Sequence, residues 1–151
     1  MILVSELRRY VKEKEEKLPA VNSSFVVVEK GELTNYLSGL GKDKNQIMVA
    51  VMPDARSRGG DEDNINMNNS LGFLFLEKTD YSASTQEKWL DIFERTQETA
   101  VEFMRMIVDD IFTGNCDFTR FLDTKTMSIE PESGLAGCNG WSVEFFFDVP
   151  L

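Results

Sequence analysis

The chain has 151 residues, 42% of them apolar, and a formal net charge of −10 that comes from 26 acidic and 16 basic side chains. This length and composition predict one domain, residues 1–151, with its own hydrophobic core. The sequence contains no histidine, which excludes a Ser-His-Asp triad, a Cys-His pair and any metal site built on imidazole, and its acidity argues against nucleic acid as a specific partner.

The first part of the chain predicts one helix and two strands. Apolar residues recur at helical spacing over Leu3–Leu18, with charged residues between them, which is typical of an amphipathic helix. The β-branched run Ser23–Val28 predicts a strand, and Gly31–Asn45 predicts a loop with one helical turn. The short apolar run Ile47–Met52, which stops at Pro53, predicts a buried strand.

The next segment, Asp54–Ser70, is rich in glycine, asparagine and acidic residues and offers little to a core. We therefore expect a loop that is mobile or ordered only by a partner. A weak calcium site formed by Asp61 and Asp63 is an alternative. The candidate contact residues of the loop are Arg56, Arg58, Asp61, Glu62 and Asp63.

A third apolar strand, Leu71–Leu76, is followed by a long helix over Ser84–Phe112. Ser84 with Glu87 has the pattern of a capping box, and Gly114 is a typical residue for the end of the helix. The apolar residues of this helix form one stripe, and its carboxylates lie on the opposite side. These carboxylates are Glu87, Asp91, Glu94, Glu98, Glu102 and Asp109.

The acidic side of the long helix is a candidate partner or lumen surface. Like charges four residues apart cost roughly 0.2–0.5 kcal/mol per pair, so the helix must be stabilised by burial of its apolar stripe. The second half of the chain is also the acidic half: residues 76–151 hold 15 acidic and 6 basic side chains, against 11 and 10 in residues 1–75. Charge runs are usually solvated, so this side faces either water or a partner or pore surface; simple solubility or a basic protein partner fits its charge.

Two strands follow, Thr126–Glu130 and Trp141–Val149, with a turn-rich segment over Pro131–Gly140 that predicts a hairpin. The predicted order is α-β-β-β-α-β-β. We therefore expect an α+β fold in which two helices pack on one face of a mostly antiparallel sheet.

The sequence predicts neither a catalytic centre nor a metal or cofactor site. Neighbouring residues on a helix point about 100° apart, so Asp109 and Asp110 cannot share a proton without partners from other elements. Cys138 has no histidine to activate it, and with Cys116 it makes too few cysteines for a disulfide framework. We therefore expect a protein that is not an enzyme.

The sequence also has no apolar stretch near the ~18 residues of a membrane span. The opening MILVSELRRY turns polar after four residues, unlike a secretory signal peptide. We expect a soluble, intracellular protein with no membrane partner.

Three segments carry a resemblance to a known family: the strand pair Phe25–Val28 and Ile47–Pro53, the long helix after Tyr81, and the closing run Asn139–Phe147. In their order they resemble the tail terminator, or tail-completion, proteins of tailed bacteriophages and prophages. The resemblance implies a non-enzymatic minor tail protein that forms a homo-oligomeric ring, commonly a hexamer. It implies tail-tube and head-connector proteins as partners, and the bacterial cytoplasm or the virion as the location.

Under this resemblance the acidic side of the helix and the Asp54–Ser70 loop are candidate subunit, tube or lumen surfaces. A lumen lined with carboxylates would let DNA slide without sticking. The competing hypothesis is an acidic intracellular adaptor or inhibitor that binds a basic protein, for example by mimicking nucleic acid. An enzyme that works through carboxylates or an oxygen-ligated metal is the third hypothesis.

Overall fold

A computed structural model describes residues 2–40, 46–58, 65–114, 116 and 119–150. The described residues form the helices α1 (Val4–Lys17), α2 (Leu33–Leu37) and α3 (Gln86–Thr113), and the strands β1 (Val21–Val27), β2 (Gln46–Arg58), β3 (Asn66–Lys78), β4 (Ser128–Leu135) and β5 (Cys138–Pro150). This confirms the predicted α+β class. None of the helices in the described ranges is both long and apolar enough to cross a membrane.

The five strands form one mixed sheet in the order β1-β2-β3-β5-β4. Strand β1 runs parallel to β2, and the other three pairs are antiparallel. A parallel pair needs a crossover of a dozen or more residues, and α2 lies between these two strands in the chain. Strands β1 and β4 are the outer strands of the sheet.

Helices α1 and α3 lie on the same face of the sheet, as predicted. Helix α1 packs against β1 and β2, and α3 packs against β3 and β5. The main core lies between these layers, where the rings of Phe73 and Phe75 have centroids 4.6 and 5.0 Å from that of Phe103. The predicted inner stripe of α3 is correct at Ala100, Phe103 and Ile107, all at 0% exposure.

The opposite face of the sheet carries α2, which matches the helical turn predicted within Gly31–Asn45 although the predicted order of elements does not count it. Leu33 and Leu37 of α2 are buried there against Ile47, Val49 and Leu74. The central strands β2 and β3 are therefore covered on both faces near this end, which explains why their sequences are continuous apolar runs.

The prediction of a loop over Asp54–Ser70 is wrong at both ends of the segment. Strand β2 continues to Arg58 and β3 begins at Asn66, and the two strands pair from Asp54↔Ser70 to Arg58↔Asn66. The β3 part also pairs with residues 146–150 of β5. Polar residues form strands here because the neighbouring strands satisfy the backbone on both sides of β3.

Side-chain hydrogen bonds between strands add to this pairing. The Ser70 hydroxyl donates to Asp54 Oδ1 at 2.6 Å, and the Asn68 amide donates to Asp148 Oδ1 at 2.9 Å. Such cross-strand contacts favour strand over loop for a segment with few apolar residues.

Two predicted boundaries also shift. The N-cap of α3 is Thr85, not Ser84, and its side chain accepts a hydrogen bond from the Lys88 N–H at 3.3 Å. The hairpin between β4 and β5 turns at Ala136–Gly137 alone, with φ of 52° and 78°, so the predicted turn Pro131–Gly140 is too long. Gly114 ends α3 with φ 64°, as predicted.

Candidate functional site

The outer side of α3 forms a row of unpaired carboxylates. We call it the acidic face, and it consists of Glu87, Asp91, Glu94, Glu98, Glu102 and Asp109. All six side chains are exposed, and within the described part of the chain none of them forms an ion pair. At 1.5 Å per residue the row is about 33 Å long. It can attract cations or a basic surface and repel phosphate.

Arg95 is on the same helix but is paired with a strand residue. Its guanidinium donates to both carboxylate oxygens of Glu77 on β3, at 3.2 and 2.8 Å. The hydrogen bond to Glu77 raises the pKa of Arg95 above its already high ordinary value. This cation therefore fixes α3 to the sheet. It also interacts electrostatically with Asp91 and Glu94 of the acidic face, but its ion pair is with Glu77.

Asp110, next to the acidic face, has a different role from Asp109. Its Oδ2 lies 2.5 Å from the Nζ of Lys14 and accepts a hydrogen bond from the Tyr10 hydroxyl at 3.0 Å. The Lys14 side chain is only 2% exposed, and its Nζ lies 4.8 Å from the centre of the Tyr10 ring. Burial, and then the Asp110 charge, raise the pKa of Tyr10. The group joins α1 to α3.

This contact was missed in the sequence because it depends on tertiary placement. Tyr10 and Lys14 lie four residues apart on the buried side of α1, beside Leu7 and Val11. A lysine on an apolar helix side is a signal for a buried partner, but the sequence does not show that the partner is Asp110.

The second surface is a groove of about 780 Å³ between α1 and β1. We call it the basic groove. Its α1 wall carries Arg8, Arg9 and Lys12, all exposed, and Phe25 and Val26 of β1 are half-buried along it. Lys12 pairs with Glu15 at 2.9 Å, whereas Arg8 and Arg9 form no ion pair with any described residue.

The two outer strands differ in how easily their free backbone edges could pair with a strand of another chain. Strand β4 has Pro131 exposed at its edge, and a proline without an N–H hinders pairing with another chain. Glu132 of β4 is held by Lys30, with 2.6 Å between Oε1 and Nζ. Strand β1 contains no proline, and within the described residues it pairs only with β2. The β1 side is therefore the more open one.

The charged residues predicted for the Asp54–Ser70 loop are only partly described. Arg56 is exposed on β2, with its guanidinium 3.8 Å from Asp54 Oδ2. Arg58 is the last residue of β2. Asp61, Glu62 and Asp63 lie outside the described residues, and so does the alternative calcium site. Among the residues that the structure describes, no three Cys, Asp or Glu side chains are grouped in a way that could hold a metal ion.

The two cysteines are free thiols in different settings. Cys138 is fully buried, and burial raises the pKa of its thiol to about 11. It is therefore protonated at neutral pH, and a thiol is a poor nucleophile in that form. Cys116 is partly buried.

Comparison of the sequence with models of known protein families and with curated proteins found no match. The functional argument therefore depends on the two surfaces themselves. The structure places the predicted carboxylates together on one side of α3, and it adds the basic groove, which the sequence analysis did not identify.

Proposed function

We propose that this protein is a non-enzymatic structural protein that assembles into a homo-oligomeric ring, as tail terminator proteins do at the end of a phage or prophage tail tube. The observation that carries the proposal is the presence of two different unpartnered surfaces, the acidic face on α3 and the basic groove beside α1. Two different surfaces on one chain allow head-to-tail contacts. Such contacts form a ring when repeating the rotation from one copy to the next leads back to the first copy.

The order of elements supports the same proposal. The described chain keeps the segments that resemble the tail terminator family: the strand pair β1 and β2, the long helix α3 and the closing strand β5. In a ring, the acidic face and the paired ends of β2 and β3, residues 54–58 and 66–70, are candidate surfaces toward neighbouring subunits, tail-tube or head-connector proteins, or the lumen. Carboxylates toward a lumen would repel the phosphates of passing DNA.

The test is the native mass of the purified protein across a range of concentrations, alone and with a tail-tube protein. We expect a ring-sized species, either from the protein alone at high concentration or after addition of the tube protein. A strict monomer under every condition would contradict the proposal.

The acidic face also favours a second candidate, an adaptor or inhibitor that binds a basic protein partner. Six exposed, unpaired carboxylates on one helix would give an association that weakens steeply with salt. This candidate predicts a monomer or dimer instead of a ring.

A triple variant tests the role of the face in either case. Glu94→Gln, Glu98→Gln and Glu102→Gln remove three charges. The matched control, Glu29→Gln, Asp123→Asn and Glu130→Gln, removes three charges from residues that are exposed outside α1 and α3. Loss of assembly or of partner binding in the triple variant alone is expected. Unchanged behaviour would show that the face is only solvated.

A further inference from the structure

The basic groove and the acidic face have matching patterns of residues. On α1, Val4, Arg8 and Lys12 are exposed and follow one another at intervals of four residues. On α3, Leu90, Glu94 and Glu98 are exposed at the same interval. Each row therefore has one apolar residue at its N-terminal end and then charges about 6 Å apart, positive on α1 and negative on α3.

We infer that neighbouring copies of this chain join head to tail by seating the α3 row of one copy against the α1 row of the next. The inference deepens the proposed ring, on which it rests, by naming its interface. Rows at intervals of four residues are the ridges that pack most commonly when two helices cross. In this contact Val4 meets Leu90, Arg8 meets Glu94 and Lys12 meets Glu98.

Exposure of the apolar ends of the two rows supports this pairing. Val4 is 46% exposed and Leu90 is 51% exposed, and Leu3 beside Val4 is 54% exposed. A contact between copies would remove these side chains from water. Apolar burial provides affinity, and the charges provide orientation and selectivity.

The same two rows cannot satisfy each other within one copy. The contact between α1 and α3 in the same chain uses the opposite side of α1, where Lys14 meets Asp110. Arg8 and the acidic face have no ion-pair partner among the described residues, so their charges are available to another copy.

The next residue of the α1 row also helps to fix the alignment. Glu16 follows Lys12 by four residues and is exposed. A shift of the contact by one turn would place Glu16 against Glu98, and like charges at an interface are unfavourable. In the alignment that starts with Val4 against Leu90, Glu16 comes opposite Glu102 instead, about three turns from Val4. Helices that cross at an angle have separated by that distance, so the two carboxylates are not brought into contact.

The experiment reverses charges on each row and then on both. We expect Arg8→Glu with Lys12→Glu to raise the concentration needed for half-assembly by at least about tenfold, and Glu94→Lys with Glu98→Lys to do the same. The chain that carries all four changes regains assembly because its two rows are again opposite in sign. Circular dichroism and thermal melting confirm that each variant is folded.

Mixing the two double variants provides the sharpest result. Neither double variant can pair with itself, because its two rows have the same sign, but every contact between the two variants joins rows of opposite sign. The mixture should therefore regain assembly, with the two variants alternating around the ring. A wild-type ring that persists in both double variants would overturn the interface and leave the proposed function intact. Disassembly without rescue in the fourfold variant, or without alternating assembly in the mixture, would also overturn it. A wild-type protein that never assembles would overturn the proposed function, and the interface with it.

Discussion

The inner and outer sides of α3 carry similar residue types, which are buried on the inner side and exposed on the outer side. On the inner side, Phe103 is fully buried and Asp110 meets the buried Lys14; on the outer side, Phe112 is 82% exposed and Asp109 is in water. A buried contact is worth several kcal/mol, whereas an exposed charge or ring contributes a few tenths. The inner side therefore determines stability, and the outer side is free to carry function.

The largest expected effect comes from the aromatic core. Phe103→Ala removes a ring that contacts Phe73 and Phe75, and we expect it to lower the free energy of unfolding by about 4 kcal/mol. Phe112→Ala is the matched control on the outer side and is expected to change it by less than about 0.5 kcal/mol. Denaturant unfolding of the two variants measures both values. Equal losses would contradict the division between the two sides.

Asp110→Asn is expected to have the next largest effect. It removes the carboxylate from the Lys14 ammonium, leaving the Glu13 carboxylate 3.7 Å away as a weaker neighbour. An uncompensated buried charge predicts a loss of about 3 kcal/mol in the free energy of unfolding. Asp109→Asn makes the same change one residue earlier, on the exposed side, and should leave the free energy of unfolding almost unchanged. A loss below about 1 kcal/mol for Asp110→Asn would show that water reaches the pair.

Tyr10 gives the same contact a dependence on pH. Because burial and Asp110 raise the pKa of Tyr10, the folded protein keeps a proton that the unfolded chain releases above pH 10. The ionisation of Tyr10 should therefore leave the free energy of unfolding unchanged below pH 10 and lower it by about 1.4 kcal/mol per pH unit above pH 10. Unfolding titrations of Tyr10→Phe should lack this slope, whereas Tyr36→Phe, at an exposed site, should keep it.

The smallest expected effect is a gain in stability. Glu94, Glu98 and Glu102 are spaced four residues apart on the outer side, so their charges repel each other. Replacing all three by glutamine should raise the free energy of unfolding of the monomer by about 0.5 kcal/mol at low salt. High salt should remove the difference. A clear destabilisation would mean that these carboxylates have stabilising partners.

The sequence predicted those elements whose pattern is local. The inner stripe of α3 recurs at helical spacing, and the run Ile47–Met52 is apolar because α1 and α2 cover β2 on both faces. The prediction for Asp54–Ser70 was wrong at its two ends because 54–58 pairs with 66–70, and 66–70 also pairs with β5, which is far away in the chain. Composition alone does not contain that information.

For the functional surfaces, the sequence predicted one and missed the other. The acidic face follows from spacing within one helix, so periodicity was sufficient to find it. The basic groove needs α1 beside β1, and its cations appeared in the sequence only as part of a mixed-charge helix. The buried pair of Lys14 and Asp110 was missed for the same reason, since 96 positions separate the two residues.

The position of β5 between β3 and β4 has a consequence for folding during synthesis. Strand β5 pairs with β3 along 13 residues, from Cys138 to Pro150. Until these residues leave the ribosome, one edge of β3 is without its neighbour and β4 has no strand to join. The nascent chain therefore completes its sheet only after Cys138–Pro150 has emerged, and until then an unpaired strand edge is exposed to other chains.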